Sequence, residues 1–428
     1  MLWIGLIILL FILIILRVPI PFAMAFISII GISASDISLL TNVPRNIFSG
    51  VNSFTLVAIP LFILAGEIMA RGGISKRLIE FSKIIVGPIP GGLALVVIVS
   101  SVFFSAITGT AIAAAAAIGG MLIPTMLKEG YDKGFTTSLI ATSSTIGPII
   151  PPSIVLILYG VISSVSISDL FIAGVLPGLL MAIALAIYSI IIGKKHGYVI
   201  KRTEKVTVKL FLNSLKDAVL ALLMPVIIIG GIISGIFTAT ESGVIAVFYA
   251  LIISIFVYRE ISLKDFWAVL KSSASTTAGI IFLISSAAIF IWYINYESIP
   301  TQLMNIMGFA AENPLLLLLI INIILLIAGT FIDTISAVTI FTPLFAPMVL
   351  AVGIDPVHFG IILAVNLTIG MVTPPLGVCL FVVSSIAKQK VPTMFKHLFP
   401  QVGILLLVLL IVTYLPQLIM LPVKLIGG

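Results

Sequence analysis

Apolar residues fall in blocks of roughly 16 to 24 along the whole chain, parted by short charged or turn-rich breaks, which is the length a helix needs to cross a hydrocarbon core. Single crossings are predicted near residues 2–16, 18–35, 53–70, 169–193, 217–236, 239–258, 274–293 and 399–422. The first has no positive residue ahead of it and Arg17 behind it, so it reads as a retained helix starting outside rather than a secretory signal. Two longer segments, 91–127 and 314–351, are interrupted at Thr108-Gly109-Thr110 and at Gly329-Thr330-Phe331-Ile332-Asp333 and read as re-entrant helical hairpins. Two others, 135–166 and 357–387, carry Pro151-Pro152 and Pro374-Pro375 near their centres. A double proline removes two backbone donors, so these are predicted to be broken helices. The alternating pattern of a transmembrane barrel is absent.

Composition agrees. The chain is 61% hydrophobic and 9% charged, against about 25% charged in ordinary globular domains. That excludes a soluble domain and predicts an all-α polytopic membrane protein. The formal charge of +7 is read as a property of cytoplasmic loops rather than as a nucleic-acid interface. One cysteine, Cys379, excludes an internal disulfide, and His196, His358 and His397 are scattered, so redox and zinc chemistry are not expected.

A single offset relates the halves. Adding 223 carries Pro124 onto Pro347, Gly130 and Asp132 onto Gly353 and Asp355, and Gly147, Pro151 and Pro152 onto Gly370, Pro374 and Pro375. Two copies of one unit are therefore expected, 1–193 and 217–428, joined by a basic linker over 194–216. Each copy holds five crossings and a hairpin, and an odd number of crossings inverts the second copy. Charge supports that topology: Lys194, Lys195, Lys201, Arg202, Lys205, Lys209 and Lys216 mark the linker as cytoplasmic. Counting outward puts Arg71, Lys76, Arg77, Lys83, Lys128, Lys133, Arg259, Lys264, Lys271, Lys388, Lys390 and Lys396 inside as well, with both termini outside.

Non-helical backbone at membrane depth is tolerated where it lines a cavity or holds an ion. Half-helix N-termini suit a carboxylate, and freed carbonyls suit a hard cation. Backbone around Gly147, Ile150 and Pro152 can meet Ser105 and Thr108 at the first tip; Gly370, Thr373 and Leu376 can meet Gly329 and Asp333 at the second. One isolated break would be only a kink, but recurrence in both halves favours a site. Three acids lie within apolar segments. Glu241 stands three after Thr238, the spacing of a capping box; Glu67 stands four before Arg71, an interfacial pair; Asp333 has no basic residue within helical reach and is the functional candidate. Tyr159, Trp292 and Tyr293 read as interfacial aromatics.

Several long motifs in order resemble the large membrane subunit of tripartite ATP-independent periplasmic (TRAP) transporters. They are Ser105-Ala-Ile-Thr-Gly-Thr110, Ile123-Pro124, Gly130-Tyr131-Asp132 and Ile146-Gly-Pro-Ile-Ile-Pro-Pro-Ser153, then Gly235-Ile-Phe-Thr-Ala-Thr-Glu241, Gly329-Thr-Phe-Ile-Asp333, Gly353-Ile-Asp-Pro-Val-His-Phe-Gly360 and Asn366 to Gly377. The resemblance implies a sodium-driven, elevator-type importer of a carboxylate such as sialic acid or a C4-dicarboxylate, in the bacterial inner membrane. In it a mobile group of hairpins and broken helices slides against a scaffold made by the remaining helices. It implies one sodium at Ser105, Thr108, Gly147, Ile150 and Pro152, a second at Gly329, Gly370, Thr373 and Leu376, and substrate contacts at Thr108, Ser153 and Asp333. The family often has serine where this chain has Thr108 and Thr110, and an oxygen is retained at both. Implied partners are a small four-helix membrane subunit, a periplasmic substrate-binding protein and lipid.

Two other readings stand beside it. A stand-alone sodium or proton symporter for dicarboxylates would share the hairpins and need no binding protein. An intramembrane enzyme would need a nucleophile with a base or a metal cluster, and no histidine stands near an intramembrane acid. A purely structural subunit would not explain four paired breaks.

Overall fold

The computed structural model describes residues 2–198, 208–308 and 313–426. It is helical, with no strand among those residues. Lys201, Arg202 and Lys205 of the linker lie outside the described residues.

The first half runs α1 (Leu2–Ile15), α2 (Ile20–Ser35), α3 (Asn42–Val51), α4 (Ala58–Arg71), α5 (Ile74–Val86), α6 (Gly92–Thr108), α7 (Ala111–Lys128), α8 (Lys133–Ser144), α9 (Ile154–Ser163) and α10 (Ile167–His196). The second runs α11 (Val208–Ile233), α12 (Ala239–Ile252), α13 (Leu263–Tyr296), α14 (Ile299–Ile306), α15 (Pro314–Phe331), α16 (Thr334–Ala351), α17 (Pro356–Gly370), α18 (Val378–Ala387) and α19 (Phe395–Tyr414). Two short helices, Pro416–Ile419 and Leu421–Ile426, follow. Among the described residues, nine helices are long and apolar enough to cross a membrane.

Element boundaries keep the 223-residue spacing: α6 and α7 fall on α15 and α16, and α8 and α9 on α17 and α18, within a few residues. Pairings follow it too. Helix α4 packs on α12 and α2 on α13, while α7 packs on α18 and α16 on α9, so each hairpin's second arm lies against the other half's broken helix.

Three short helices were not expected. Helices α3, α5 and α14 are eight to thirteen residues long, too short to span. In α5, Ile74, Leu78, Ile79 and Phe81 are buried while Lys76 and Glu80 face out, so the segment read as a basic loop is an amphipathic helix. The long α13 starts before the predicted 274, capped by Ser262 with Asp265 in a capping box. Helix α11 begins before the expected 217, and α19 ends at Tyr414 ahead of Pro416.

The contacts also divide the helices differently from the sequence expectation. Helices α1 to α5 and α11 to α13 pack chiefly on one another, whereas the short α14 packs on the hairpin arm α16 as well as on α13. Helices α10 and α19, assigned above to the scaffold, pack instead on the hairpins and broken helices: α10 on α6 and α17, α19 on α8 and α17.

Candidate transport site at the hairpin tips

The first tip is Gly109, between α6 and α7. Its φ of 60° is left-handed, and a Cβ there would stand 2.7 Å from the carbonyl oxygen of Pro152. Conformation and proximity both require glycine. The broken helix opposite closes its own break. Ser153 caps α9, accepting from the amide of Leu156 at 3.2 Å and donating to the carbonyl of Pro148. A Cβ on Gly147 would meet the backbone of Thr110 at 3.1 Å. The break thus touches the tip at Gly109 and Thr110, just past the Thr108 expected to meet it. The side chain of Ser105 lies outside what is described, although its backbone is helical within α6. Ile150 is buried, its side chain against Gly178.

The second tip repeats the arrangement. Ile332 is extended, and Asp333 caps α16, accepting from the amide of Ser336 at 3.1 Å. A Cβ on Gly370 would lie 2.6 Å from the Cα of Gly329. The amide of Gly377 donates to the carbonyl of Thr330 at 3.3 Å, and that of Cys379 to the carbonyl of Met371 at 3.1 Å. The hydroxyl of Thr373 donates to the carbonyl of Ile369 at 2.8 Å, leaving its lone pairs available as ligands. Leu376 is exposed.

Between the tips lies a cavity of about 400 Å³. Thr108 and Asp333, both named above as substrate contacts, line it together. Ser153 is fully buried, its hydroxyl engaged within the break. The first residues of three helices reach the cavity: Thr110 and Ala111 of α7, Ile154 and Val155 of α9, and Asp333 and Thr334 of α16. Helix N-termini carry partial positive charge and unpaired amides, so this is an environment for an anion. Among the described residues no cluster of three His, Cys, Asp or Glu is placed to hold a metal. The oxygens near the tips are carbonyls, hydroxyls and the carboxylate of Asp333, with that of Glu67 on the cavity wall, donors of the kind that suit a hard cation.

Sequence reading missed two wall residues. Glu67 of α4 does approach Arg71, at 3.8 Å, as expected, but it also lines the tip cavity and accepts from Ser272 at 3.3 Å. Thr276 of α13 lines the wall too. The signal was present as the hydroxyl-rich run Ser272-Ser273-Ala274-Ser275-Thr276-Thr277 in an otherwise apolar span. Glu241 behaves as its spacing required: its carboxylate accepts from the Thr238 amide at 2.8 Å and its own amide donates to the Thr238 hydroxyl at 3.2 Å. Tyr159 differs from the interfacial reading. It is fully buried, donates to the carbonyl of Pro356 at 2.6 Å and packs on Phe359 and Gly360, tying α9 to α17. Tyr293 is likewise buried, against Gly31.

Paired hairpins and broken helices around one cavity make this a polytopic membrane protein of transporter architecture. Solved structures agree on the fold: the YdaH transporter of Alcanivorax borkumensis (TM-score 0.61, 15% identity, 88% of this chain and 87% of that one) and MtrF of Neisseria gonorrhoeae (TM-score 0.56, 14% identity, 88% and 83%). Residues 7–418 match the DctM component of tripartite ATP-independent periplasmic transporters. The isethionate TRAP transporter permease protein DctMQ of Oleidesulfovibrio alaskensis is 42% identical over 93% of the chain, which spans 63% of that longer protein. The putative TRAP transporter large permease protein of Haemophilus influenzae is 41% identical over 96% of both chains. The sialic acid TRAP transporter large permease protein SiaM of Vibrio cholerae is 39% identical over 93% of both. The chain belongs to the DctM family of TRAP transporter permeases, multi-pass proteins of the inner membrane.

Proposed function

We propose that this chain is the translocating subunit of a sodium-driven importer of an organic acid, which a periplasmic binding protein delivers and a small four-helix membrane subunit accompanies. The observation that carries this is the tip cavity, where three helix N-termini face the space that Thr108 and Asp333 line. N-termini attract the substrate's acidic group, and the neighbouring carbonyls and hydroxyls attract sodium. The two halves are inverted copies, and the hairpins are re-entrant. The mobile group is the hairpins and broken helices, and contact grouping adds α10 and α19 to it.

Sialic acid, C4-dicarboxylates, isethionate and 2,3-diketo-L-gulonate are among the cargoes named for relatives, and each presents a carboxylate or sulfonate to such a cavity. Sodium rather than proton coupling is the reading supported by a donor set made mainly of carbonyls and hydroxyls, with Asp333 as the carboxylate at the tips. Uptake into proteoliposomes holding this chain, the small subunit and the binding protein tests the reading. An inward sodium gradient at equal pH should drive accumulation. Uptake that follows only a pH gradient, or that proceeds without the binding protein, contradicts it.

A further inference from the structure

A second cavity, of about 520 Å³, adjoins the first. Thr276, Ile280, Asp333 and Ile335 line both, so the two meet at the second tip. Their far walls differ in charge. The tip cavity carries Glu67 of α4, whereas the second carries Arg17, from the turn between α1 and α2, with Ser275 and Ser336 beside it.

Arg17 makes no ion pair among the described residues, and neither does Asp333 across the cavity from it. Its backbone ends α1 in the left-handed region, φ 64°. The amides of Arg17 and Val18 close that turn onto the carbonyls of Ile14 and Leu13, at 2.9 and 3.0 Å. Glycine is the usual residue at such a position, so the turn itself does not call for an arginine.

An anion in the tip cavity therefore has a carboxylate on one flank and an uncommitted guanidinium on the other. A guanidinium offers a planar fork of donors that matches a carboxylate or sulfonate. We infer that Arg17 is a second, scaffold-borne subsite for the acidic group of the substrate, a station between the tip cavity and the cytoplasm. This rests on the organic-acid reading above and on the topology that places Arg17 inside. Hydroxyls of Ser275, Thr276 and Ser336 complete the station's polar surface. The substrate passes to it around Asp333 while the tip cavity opens on that side.

The competing role for Arg17 is a positive-inside anchor that also complements the C-terminus of α1. Two variants separate the roles. Leu16→Lys with Arg17→Gly keeps a cytoplasmic positive charge, gives the turn its preferred residue and removes the fork; Arg17→Lys keeps the charge in place. The complete three-protein system is reconstituted, and sialic acid, succinate and isethionate are tried as labelled probes for sodium-dependent uptake. Efflux of the carried probe is then measured against its concentration on the cytoplasmic side. The double variant should raise the apparent KM for cytoplasmic substrate about fivefold to tenfold, with Arg17→Lys between it and wild type, because a point charge replaces a bidentate fork. Half-saturation by sodium should not move. Wild-type KM in the double variant overturns the inference while leaving the organic-acid reading intact. Wild-type protein that carries none of the three anions under a sodium gradient overturns that reading, and the subsite with it.

Discussion

Gly329 and Gly370 meet backbone to backbone: a methyl added to Gly370 would stand 2.6 Å from both the Cα and the carbonyl carbon of Gly329. Neither partner is the end of a flexible side chain, so nothing local can yield. Gly370→Ala should separate the second tip from its broken helix, at a stability cost of about 1–3 kcal/mol. A lowered melting temperature of the purified complex, with transport reduced well beyond any loss of folded protein, is the expected result. Normal transport would mean that this contact does not hold the cation and substrate region together.

Thr373 tests the cation more directly. Its hydroxyl donates to Ile369 and keeps acceptor capacity. Thr373→Val removes one oxygen and preserves shape, so half-maximal transport should need several times more sodium while the fold is kept. Unchanged sodium dependence would remove Thr373 from the ligand set.

Asp333 and Glu241 are both helix-capping acids, and they should separate in function. Asp333→Asn keeps a capping oxygen for the amide of Ser336 but loses the charge that faces both cavities. Transport should be abolished in protein that still reaches the membrane. Glu241 lines neither tip cavity, and Glu241→Gln should lower stability modestly with transport retained. Thermal melts beside uptake assays on the two variants decide it, and a fully active Asp333→Asn protein would contradict the site.

Much of this was legible in the sequence for a physical reason. Membrane depth punishes unpaired backbone, so breaks at Gly109, Gly147, Gly329 and Gly370 had to mean close packing, and the structure places backbone or proline against each. Short amphipathic helices were not legible, because α3, α5 and α14 hold too few apolar residues to register as spans. Sequence could place Ser153 at a break but not show that its hydroxyl closes that break upon Pro148. Nor could it show that Glu67, satisfied by Arg71 four residues on, shares a wall with tips 41 and 266 residues away. Those relations exist only once helices of the two groups face one another.

The central claim is that the hairpins carry substrate by moving against the scaffold, and one contact is placed to test it. Phe11 of α1 and Phe341 of α16 meet with ring centroids 6.2 Å apart, one in each group. In protein with Cys379→Ser, Phe11→Cys and Phe341→Cys should be joined by a bifunctional thiol reagent with a disulfide at its centre. Transport should stop when crosslinking is complete and return on reduction. Full sodium-driven uptake by quantitatively crosslinked protein would contradict the account, because the hairpin would then work without leaving α1.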